Sequence, residues 1–271
     1  MANNQNEDRS IYVNFDPSAP EVTEFRRIFT RVARRAQEEK LRTILFTSSE
    51  QGEGKTTSAS LFAIVACQYH GLRTCLVDAD LHRPRIGEMF EVPREPGLAE
   101  ILKDNYSIET TLKPSRYENL KILTAGGKHP FPSELLLPDR LATTFGKLKL
   151  LFDVIVVDAP PLLPVSDSAV LSREVDGVVL VVRAGRTQKD VAVRAKRILD
   201  DVGSNVIGVV VNNMEDVLPY YYGHSYYQDS YHAEEGDEPK RPRSEQTKGR
   251  RDGGSDSPRP TPRTRAAGSS G

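Results

Sequence analysis

Short apolar runs alternate with helical stretches along residues 41–212 of this 271-residue chain. The runs are rich in β-branched residues, and the stretches between them repeat apolar positions at the period of an α-helix. Several runs are apolar at nearly every position, which is typical of strands that helices cover on both faces. The alternation therefore predicts an α/β fold with a mainly parallel sheet. The predicted strands are residues 41–47, 74–77, 120–123, 154–157, 178–182 and 206–211, and the predicted helices are residues 55–69, 97–102, 133–151, 167–173 and 189–199.

An amphipathic helix is predicted ahead of the sheet, over residues 18–37. Ser18 and Glu21 have the spacing of a capping box. Apolar positions then recur at helical spacing, with five arginines around the apolar stripe. Two interpretations are open, a solvated helix packed on the core or a contact between subunits. The preceding residues 1–17 are predicted to be a flexible leader.

The composition changes after residue 218. Residues 219–232 hold six of the ten tyrosines, Tyr220, Tyr221, Tyr222, Tyr226, Tyr227 and Tyr231. This segment lacks a helix or strand period, so it is either an aromatic binding patch or a set of hydroxyls that accept phosphate. Residues 233–271 have almost no large apolar side chains. We predict a disordered C-terminal tail, because the free energy gained by burying these side chains would not offset the conformational entropy lost on ordering. The predicted domain is therefore residues 18–218.

Charge and cysteine content exclude several classes of protein. The net charge is −1, so no overall field favours nucleic acid as a partner. Cys67 and Cys75 lie in apolar surroundings without metal-ligand spacing, as reduced core residues of a cytosolic protein do. No apolar run reaches the roughly 20 residues that a membrane-spanning helix needs, and the polar, acidic N-terminus is unlike a signal peptide.

A phosphate-binding loop is predicted between the first strand and the next helix. Gly52 and Gly54 let backbone N–H groups turn toward phosphate oxygens, and the helix that follows adds its N-terminal dipole. Lys55 is placed to reach the β- and γ-phosphates, and the Thr56 hydroxyl to coordinate Mg²⁺. Ser49 stands where the usual motif begins with glycine.

Carboxylates follow two of the predicted strands. Asp158 ends an apolar strand and suits a metal or water ligand. Asp78 and Asp80 follow another strand, and alternate residues of an extended segment point the same way, so both could face the phosphates. In parallel sheets, ligands bind at the carboxyl ends of the strands, where Asn212 also falls. The next residues, His82, Arg83 and Arg85, could contact phosphate, a neighbouring subunit or solvent.

In this combination the chain resembles the bacterial tyrosine autokinases (BY-kinases) of capsule and exopolysaccharide synthesis. Residues 47–56 are similar to the family's Walker A segment, residues 78–80 to its Walker A′ motif, and residues 158–161 with Asp167 to its Walker B segment. The tyrosine cluster is similar to the family's phosphoacceptor segment. Weaker likenesses occur at residues 97–98, 132–136 and 208–212.

The resemblance implies a P-loop NTPase fold of the MinD-like (SIMIBI) class and the activity of an ATP:protein-tyrosine phosphotransferase. Its cofactors would be ATP and Mg²⁺, and it would phosphorylate its own tyrosine cluster on a neighbouring subunit. The implied nucleotide-binding residues are Ser49, Glu50, Gln51, Gly52, Glu53, Gly54, Lys55, Thr56, Thr57 and Asn212. The implied catalytic residues are Lys55, Asp78, Asp80 and Asp158, with Asp78 activating the tyrosine hydroxyl and with Thr56, Asp80 and Asp158 holding Mg²⁺.

The resemblance also implies partners and a location. Glu24 and Arg27 would contribute to contacts in a homo-oligomer, which the resemblance implies to be ring-like. A separate membrane polysaccharide co-polymerase would activate the kinase, and a cognate tyrosine phosphatase would reverse its action. The kinase would lie in the cytoplasm at the inner face of the plasma membrane and regulate polysaccharide synthesis and export.

Two other functions fit parts of this pattern. ATPase switches of cell division and chromosome partition, of the MinD and ParA type, share the fold without tyrosine kinase activity. They carry a signature lysine early in the loop, where this chain has Glu50, and they have no need of a tyrosine cluster. A non-catalytic nucleotide-binding scaffold is the third hypothesis, and the intact Lys55, Asp78 and Asp158 argue against it.

Overall fold

The structure is a computed structural model that describes residues 20–213. The helices are α1 (Pro20–Glu39), α2 (Lys55–His70), α3 (Ile86–Met89), α4 (Leu98–Asp104), α5 (Ile108–Thr111), α6 (Pro138–Leu151), α7 (Asp167–Arg173) and α8 (Lys189–Asp201), with a 3₁₀ turn at Pro132–Leu135. The strands are β1 (Thr43–Ser48), β2 (Thr74–Asp78), β3 (Lys113–Pro114), β4 (Leu120–Leu123), β5 (Val154–Asp158), β6 (Gly177–Arg183) and β7 (Val206–Asn212). The predicted tyrosine cluster, leader and tail lie outside the described residues.

Seven strands form one sheet in the order β3-β4-β2-β5-β1-β6-β7. Every pairing is parallel except that of β3 with β4. The predicted mainly parallel α/β sheet is therefore confirmed. The parallel register pairs Asp78 with Asp158, which brings two of the predicted carboxylates to neighbouring strand ends.

The core consists of two apolar layers, one on each face of the sheet. Side chains alternate between faces along a strand, so Ile44 and Phe46 pack in one layer while Leu45 packs in the other. Helices α1 and α2 cover the first layer, where the Phe62 ring lies 5.3 Å from the ring of Phe46. Cys67 and Cys75 are both free and buried, as predicted for core residues.

The predicted helix 133–151 is interrupted in the structure. A 3₁₀ turn ends at Leu135, and α6 begins only at Pro138. Proline lacks an N–H donor and disfavours helical conformation in the residue before it, and Leu137 is accordingly extended, with ψ 130°. The short elements α3, α5 and β3 were not predicted because segments of two to four residues carry no readable period.

Helix α1 is amphipathic, as its pattern predicts. Phe29 on its apolar face is buried, and its ring lies 5.1 Å from that of Phe62. On the polar side, Arg27 pairs with Glu24 at 2.5 Å, and both are exposed. Glu24 and Arg27 are thus available at the surface, and the role of this pair in an oligomer stays a prediction. None of the helices within residues 20–213 has the length and hydrophobicity needed to span a bilayer.

Asp176 joins the start of β1 to α6. One carboxylate oxygen accepts hydrogen bonds from the backbone N–H groups of Arg42 and Thr43, each at 2.8 Å, and the other accepts one from Lys149 Nζ at 2.7 Å. Burial by itself would raise the pKa of this carboxyl group. The hydrogen bonds from Lys149 and the two N–H groups outweigh burial and lower the pKa of Asp176.

We expect Asp176→Asn to lower the free energy of unfolding at pH 7 by about 1–3 kcal/mol, the usual loss for hydrogen bonds to a charged group. A lowered pKa stabilises the fold above the pKa of the unfolded chain, and this stabilisation disappears as the pH falls through the folded pKa. The difference from wild type should therefore shrink below about pH 4 in urea titrations. Asp200→Asn is the matched control, because Asp200 pairs with Lys196 on the surface. A difference that stays constant with pH would contradict the assignment.

Candidate nucleotide and phosphotransfer site

The loop between β1 and α2 has the geometry of a phosphate cradle. Gly52 and Gly54 both have left-handed backbones, with φ of 82° and 94°. Helix α2 starts at Lys55, and no side chain caps its N-terminus. Its first N–H groups therefore remain available to an anion, and the helix dipole favours negative charge at this point.

Glu53 holds the loop from inside. Its side chain is buried, and one oxygen accepts the backbone N–H of Glu50 at 2.9 Å. The other oxygen accepts a hydrogen bond from the Thr187 hydroxyl on the turn after β6. Glu53, predicted as a nucleotide-binding residue, is therefore placed where its carboxylate shapes the loop.

Asn212 closes the loop from the end of β7. Its side-chain amide donates to the backbone oxygen of Glu53 at 3.1 Å. A Cβ added at Gly54 would lie only 2.0 Å from Asn212 Nδ2, so any other residue there would displace the Asn212 side chain. The structure thus brings Asn212 to the loop, in contact with its backbone.

Lys55 lies among the oxygen atoms of three side chains. Its ammonium is 2.9 Å from Asp80 Oδ2, 3.4 Å from Asp158 Oδ1 and 3.2 Å from Thr56 Oγ1. The Thr56 hydroxyl donates to Asp158 Oδ2 at 2.7 Å. Burial disfavours the charged ammonium, but the carboxylates of Asp158 and Asp80 outweigh burial and raise the pKa of Lys55. These four predicted site residues therefore form one buried, charged cluster.

The same cluster provides suitable ligands for Mg²⁺. Two carboxylates and a hydroxyl converge on a position that a cation, the Lys55 ammonium, already occupies in part. Magnesium prefers oxygen ligands and is usually held by one or two carboxylates together with phosphates and water. Within residues 20–213, no three acidic, histidine or cysteine side chains group as a metal site on their own. The donor set therefore fits a metal whose remaining ligands come from a nucleotide and solvent.

Asp78 has a different environment from Asp80. It is fully buried, and one oxygen accepts the backbone N–H groups of Arg85 and Ile86 at 3.1 and 3.0 Å. The other oxygen accepts the N–H of Asp80 at 3.3 Å. Burial and the nearby Asp158 carboxylate raise the pKa of Asp78 to about 7. Strand β2 ends at Asp78 and the chain bends at residues 81–83. The carboxylate of Asp78 accepts backbone N–H groups, whereas that of Asp80 contacts Lys55.

A cavity of about 450 Å³ opens beside the loop. Its wall includes residues of the loop, the segment after Asp78 and the proline-rich segment after β5. The lining residues are Gln51, Gly52, Gly54, Lys55, Thr56, Thr57, Asp80, His82, Arg83, Arg85, Pro160, Pro161, Pro164 and Val165. Its size is typical of a small-molecule site, and its cations suit a phosphate chain.

The segment after Asp80 is held against this cavity. Arg83 Nη1 donates to Gln51 Oε1 at 2.7 Å. His82 Nε2 lies 2.9 Å from Asp167 Oδ2, and the other oxygen of that buried carboxylate accepts the Ser133 hydroxyl at 2.7 Å. The sequence leaves contact with phosphate, with a neighbouring subunit or with solvent open for His82, Arg83 and Arg85, and the structure places all three residues on the cavity wall.

The remaining predicted residues are spread along the loop. Glu50 and Gln51 are exposed, Thr57 lines the cavity, and Ser49 is buried with no hydrogen-bond partner for its hydroxyl within the described residues. Sequence reasoning missed Thr187 and its neighbour Arg186, because nothing local marks a turn that contacts a loop more than 130 residues earlier. The six predicted phosphoacceptor tyrosines lie outside the described residues.

No family model matches the chain, but known proteins resemble it over most of its length. Tyrosine-protein kinase CapB of Staphylococcus aureus is 32% identical over 227 residues, 82% of this chain and 99% of the relative. Tyrosine-protein kinase YwqD of Bacillus subtilis is 30% identical over 204 residues, 75% of this chain and 86% of the relative. The kinase domain of Escherichia coli tyrosine kinase ETK matches with a TM-score of 0.71 and 28% identity, over 76% of this chain and 79% of that domain.

A more distant likeness concerns the fold alone. The septum site-determining protein MinD of Pyrococcus horikoshii, complexed with Mg-ADP, matches with a TM-score of 0.54 over 63% of this chain and 69% of its own. The sequence identity is 22%, so the match shows the shared architecture and not the activity. It confirms the predicted MinD-like class of P-loop fold.

The two kinds of match separate the fold from the activity. The MinD-type ATPases share the architecture at low identity, whereas the relatives at 30% identity or more over most of both chains are tyrosine-protein kinases. Nucleotide use is common to both groups and agrees with the loop, the Lys55 cluster and the cavity. The chain therefore belongs to the bacterial tyrosine-kinase (BY-kinase) family and is a nucleotide-using protein-tyrosine kinase.

Proposed function

We propose that this kinase transfers the γ-phosphate of ATP to the tyrosines of residues 219–232, on a neighbouring copy of the chain. The observation that carries the proposal is the cluster of Lys55, Thr56, Asp80 and Asp158 beside an open cavity. Phosphoryl transfer depends mainly on positioning and charge neutralisation, and this cluster supplies both at the end of a phosphate-binding loop.

Each residue of the cluster has a distinct task in the proposal. The loop and the start of α2 hold the phosphates through backbone N–H groups. The Lys55 ammonium turns from the carboxylates toward the β- and γ-phosphates once these arrive. Thr56, Asp80 and Asp158 would hold Mg²⁺, which supplies charge neutralisation on the phosphate oxygens when bound.

In the transfer, the tyrosine oxygen forms a bond to the γ-phosphorus while the bond from that phosphorus to the β,γ-bridging oxygen breaks, and ADP leaves. The resemblance assigns the hydroxyl proton to Asp78. A pKa near 7 suits a proton acceptor at neutral pH. Both Asp78 oxygens are covered by N–H groups of Asp80, Arg85 and Ile86, so this role requires the segment 80–86 to move when substrate binds.

The family resemblance also implies partners and a cellular role for this kinase. A separate membrane polysaccharide co-polymerase would activate the kinase at the inner face of the plasma membrane, and a cognate phosphatase would remove the phosphates. Glu24 and Arg27 are exposed on α1 and would contribute to the contact between copies. Each phosphate adds a charge of about −1.5 to −2, so several on one cluster would repel and loosen an oligomer. This cycle would regulate exopolysaccharide synthesis and export.

The test is a phosphopeptide map after incubation with ATP and Mg²⁺, with and without the cytoplasmic part of the activator. We expect phosphate on tyrosines of residues 219–232, and loss of essentially all of it when the six tyrosines are replaced by phenylalanine. The six-phenylalanine variant keeps the whole nucleotide site, so it should still phosphorylate the Lys55→Met variant supplied as acceptor. Phosphate that reaches the acceptor in this mixture demonstrates transfer between chains.

Two outcomes would overturn the proposal. ATP hydrolysis with dimerisation and no phosphotyrosine would favour a MinD-like ATPase switch. Phosphotyrosine that appears only on residues outside 219–232 would show that the cluster is not the acceptor.

A further inference from the structure

The turn after β6 is hydrogen-bonded to the phosphate loop. The backbone oxygen of Arg183 accepts the N–H groups of Arg186 and Thr187 at 3.3 and 2.9 Å, and Gly185 supplies the left-handed backbone that the turn requires. The Thr187 hydroxyl accepts the N–H of Arg183 at 2.9 Å and donates to the buried Glu53 carboxylate. Because Glu53 also holds the loop itself, the turn and the loop form one unit.

This turn places a guanidinium group on the loop. A Cβ built at Gly52 would lie 3.4 Å from Arg186 Nη1 and 3.9 Å from both Cζ and Nη2. Gly52 lines the cavity, so the guanidinium lies against the backbone of the cavity wall. Arg186 is exposed, and within residues 20–213 its guanidinium has no hydrogen-bond acceptor or carboxylate partner.

Two of the other cations near the loop already have side-chain partners, whereas Arg85 lines the wall of the cavity. Lys55 is shared by Asp80 and Asp158, and Arg83 donates to Gln51. Because two buried carboxylates share the Lys55 ammonium, a polyphosphate bound in the loop would gain from a further cation. Arginine pairs with phosphate through two parallel hydrogen bonds, and a glycine backbone beneath it lets a phosphate approach closely.

We propose that Arg186 binds the phosphate chain of the nucleotide held in the loop, and that Thr187, through Glu53, positions it. The inference rests on ATP being the nucleotide of the proposed function. Arg186 would add a cation to the phosphate loop from the turn after β6, the strand beside β1 in the sheet. The loop itself has Glu50 where partition-type ATPases carry a lysine.

The test is equilibrium binding of fluorescent ATP and ADP analogues to the full-length protein, which requires no phosphotransfer. Arg186→Ala should weaken ATP binding about 10- to 100-fold, the usual effect of losing a charged hydrogen-bond pair. The ATP affinity of Arg186→Lys should lie between those of wild type and Arg186→Ala, because lysine keeps the charge but cannot form two parallel hydrogen bonds to one phosphate. A larger loss for ATP than for ADP assigns the contact to the γ-phosphate, and an equal loss assigns it to the phosphates that both share.

Controls separate a direct contact from general charge and from misfolding. Arg197→Ala removes an exposed arginine of α8 and should leave both affinities unchanged. Thr187→Val should weaken nucleotide binding by the protein that has Arg186, whereas Thr187→Ser keeps the hydroxyl and should bind like wild type. In the Arg186→Ala protein, Thr187→Val should weaken binding little further. Equal binding by wild type and Arg186→Ala, or an equal loss in Arg197→Ala, would overturn the inference. If Arg186→Ala weakens nucleotide binding but no phosphotyrosine forms in the wild-type protein, only the proposed phosphate acceptor is contradicted.

Discussion

Replacing Lys55 by methionine is expected to lower kcat/KM for tyrosine phosphorylation by about 10³-fold or more, the scale on which preorganised charges act in phosphoryl transfer. Methionine fills a similar volume but has no ammonium to neutralise the β- and γ-phosphates. The measurement is the rate of phosphotyrosine formation on the six tyrosines of residues 219–232 under saturating ATP and Mg²⁺. Lys103→Met, which removes an exposed lysine near the end of α4, should retain wild-type activity.

The same replacement has a second consequence in the nucleotide-free protein. Lys55 neutralises Asp80 and Asp158, whose side chains are only 5% and 1% exposed. Removing one partner of a buried ion pair costs about 3–5 kcal/mol, so Lys55→Met should unfold at lower denaturant concentration. Lys55→Arg separates the two effects, because it keeps the charge beside the carboxylates while misplacing it for phosphate. Near-normal stability with strongly reduced activity is expected for Lys55→Arg. Lys55→Met that keeps more than a tenth of wild-type activity would refute the assignment.

Replacing Gly54 by alanine is expected to damage both the fold and the nucleotide site. Gly54 has φ 94°, and its added Cβ would lie 2.0 Å from Asn212 Nδ2. A side chain in the left-handed region costs about 1–2 kcal/mol by itself. Displacing Asn212 also breaks its hydrogen bond to the Glu53 backbone oxygen, so a total of about 3 kcal/mol is expected. Nucleotide affinity should fall more than about 10-fold because the N–H groups at the start of α2 no longer converge.

Gly71 provides the matched control for Gly54. It is also left-handed, with φ 61°, at the C-terminal end of the same helix, and a Cβ there would meet no atom within 4 Å. Gly71→Ala should therefore show the backbone strain alone, about 1–2 kcal/mol in urea unfolding, with normal nucleotide binding. Adding Asn212→Ala to Gly54→Ala should recover part of the lost stability. Equal destabilisation by Gly54→Ala and Gly71→Ala would show that contact with Asn212 is not the constraint.

Much of the site could be predicted because its chemistry follows local rules. Lys55 and Thr56 lie at the start of a helix after a glycine-containing loop, and the spacing alone brings them to the same end of that helix. Asp158 ends a strand whose apolar residues mark it as central, and parallel strands end at the same edge of the sheet. The contacts of Lys55 with Asp158 and Asp80 realise this expectation.

The predictions that changed concern residues just beyond a strand. Alternation along an extended segment suggested that Asp78 and Asp80 face the same ligand. Strand β2 stops at Asp78, however, and the following turn folds its own N–H groups onto the Asp78 carboxylate. Periodicity holds only while the backbone stays extended, so it could not assign which carboxylate lines the cavity.

By itself, the amino-acid sequence determined the α/β architecture, the phosphate loop, the strand-end carboxylates and the resemblance to bacterial tyrosine kinases. These features depend on the period of apolar residues and on short motifs, both of which are local. The tertiary structure alone decided that Glu53 contacts Thr187, 134 residues away, and that Asn212 contacts Glu53, 159 residues away. It also decided that Arg186 lies on Gly52. Contacts of this kind arise from how β6 and β7 follow β1 in the sheet, and no spacing within a single segment records them.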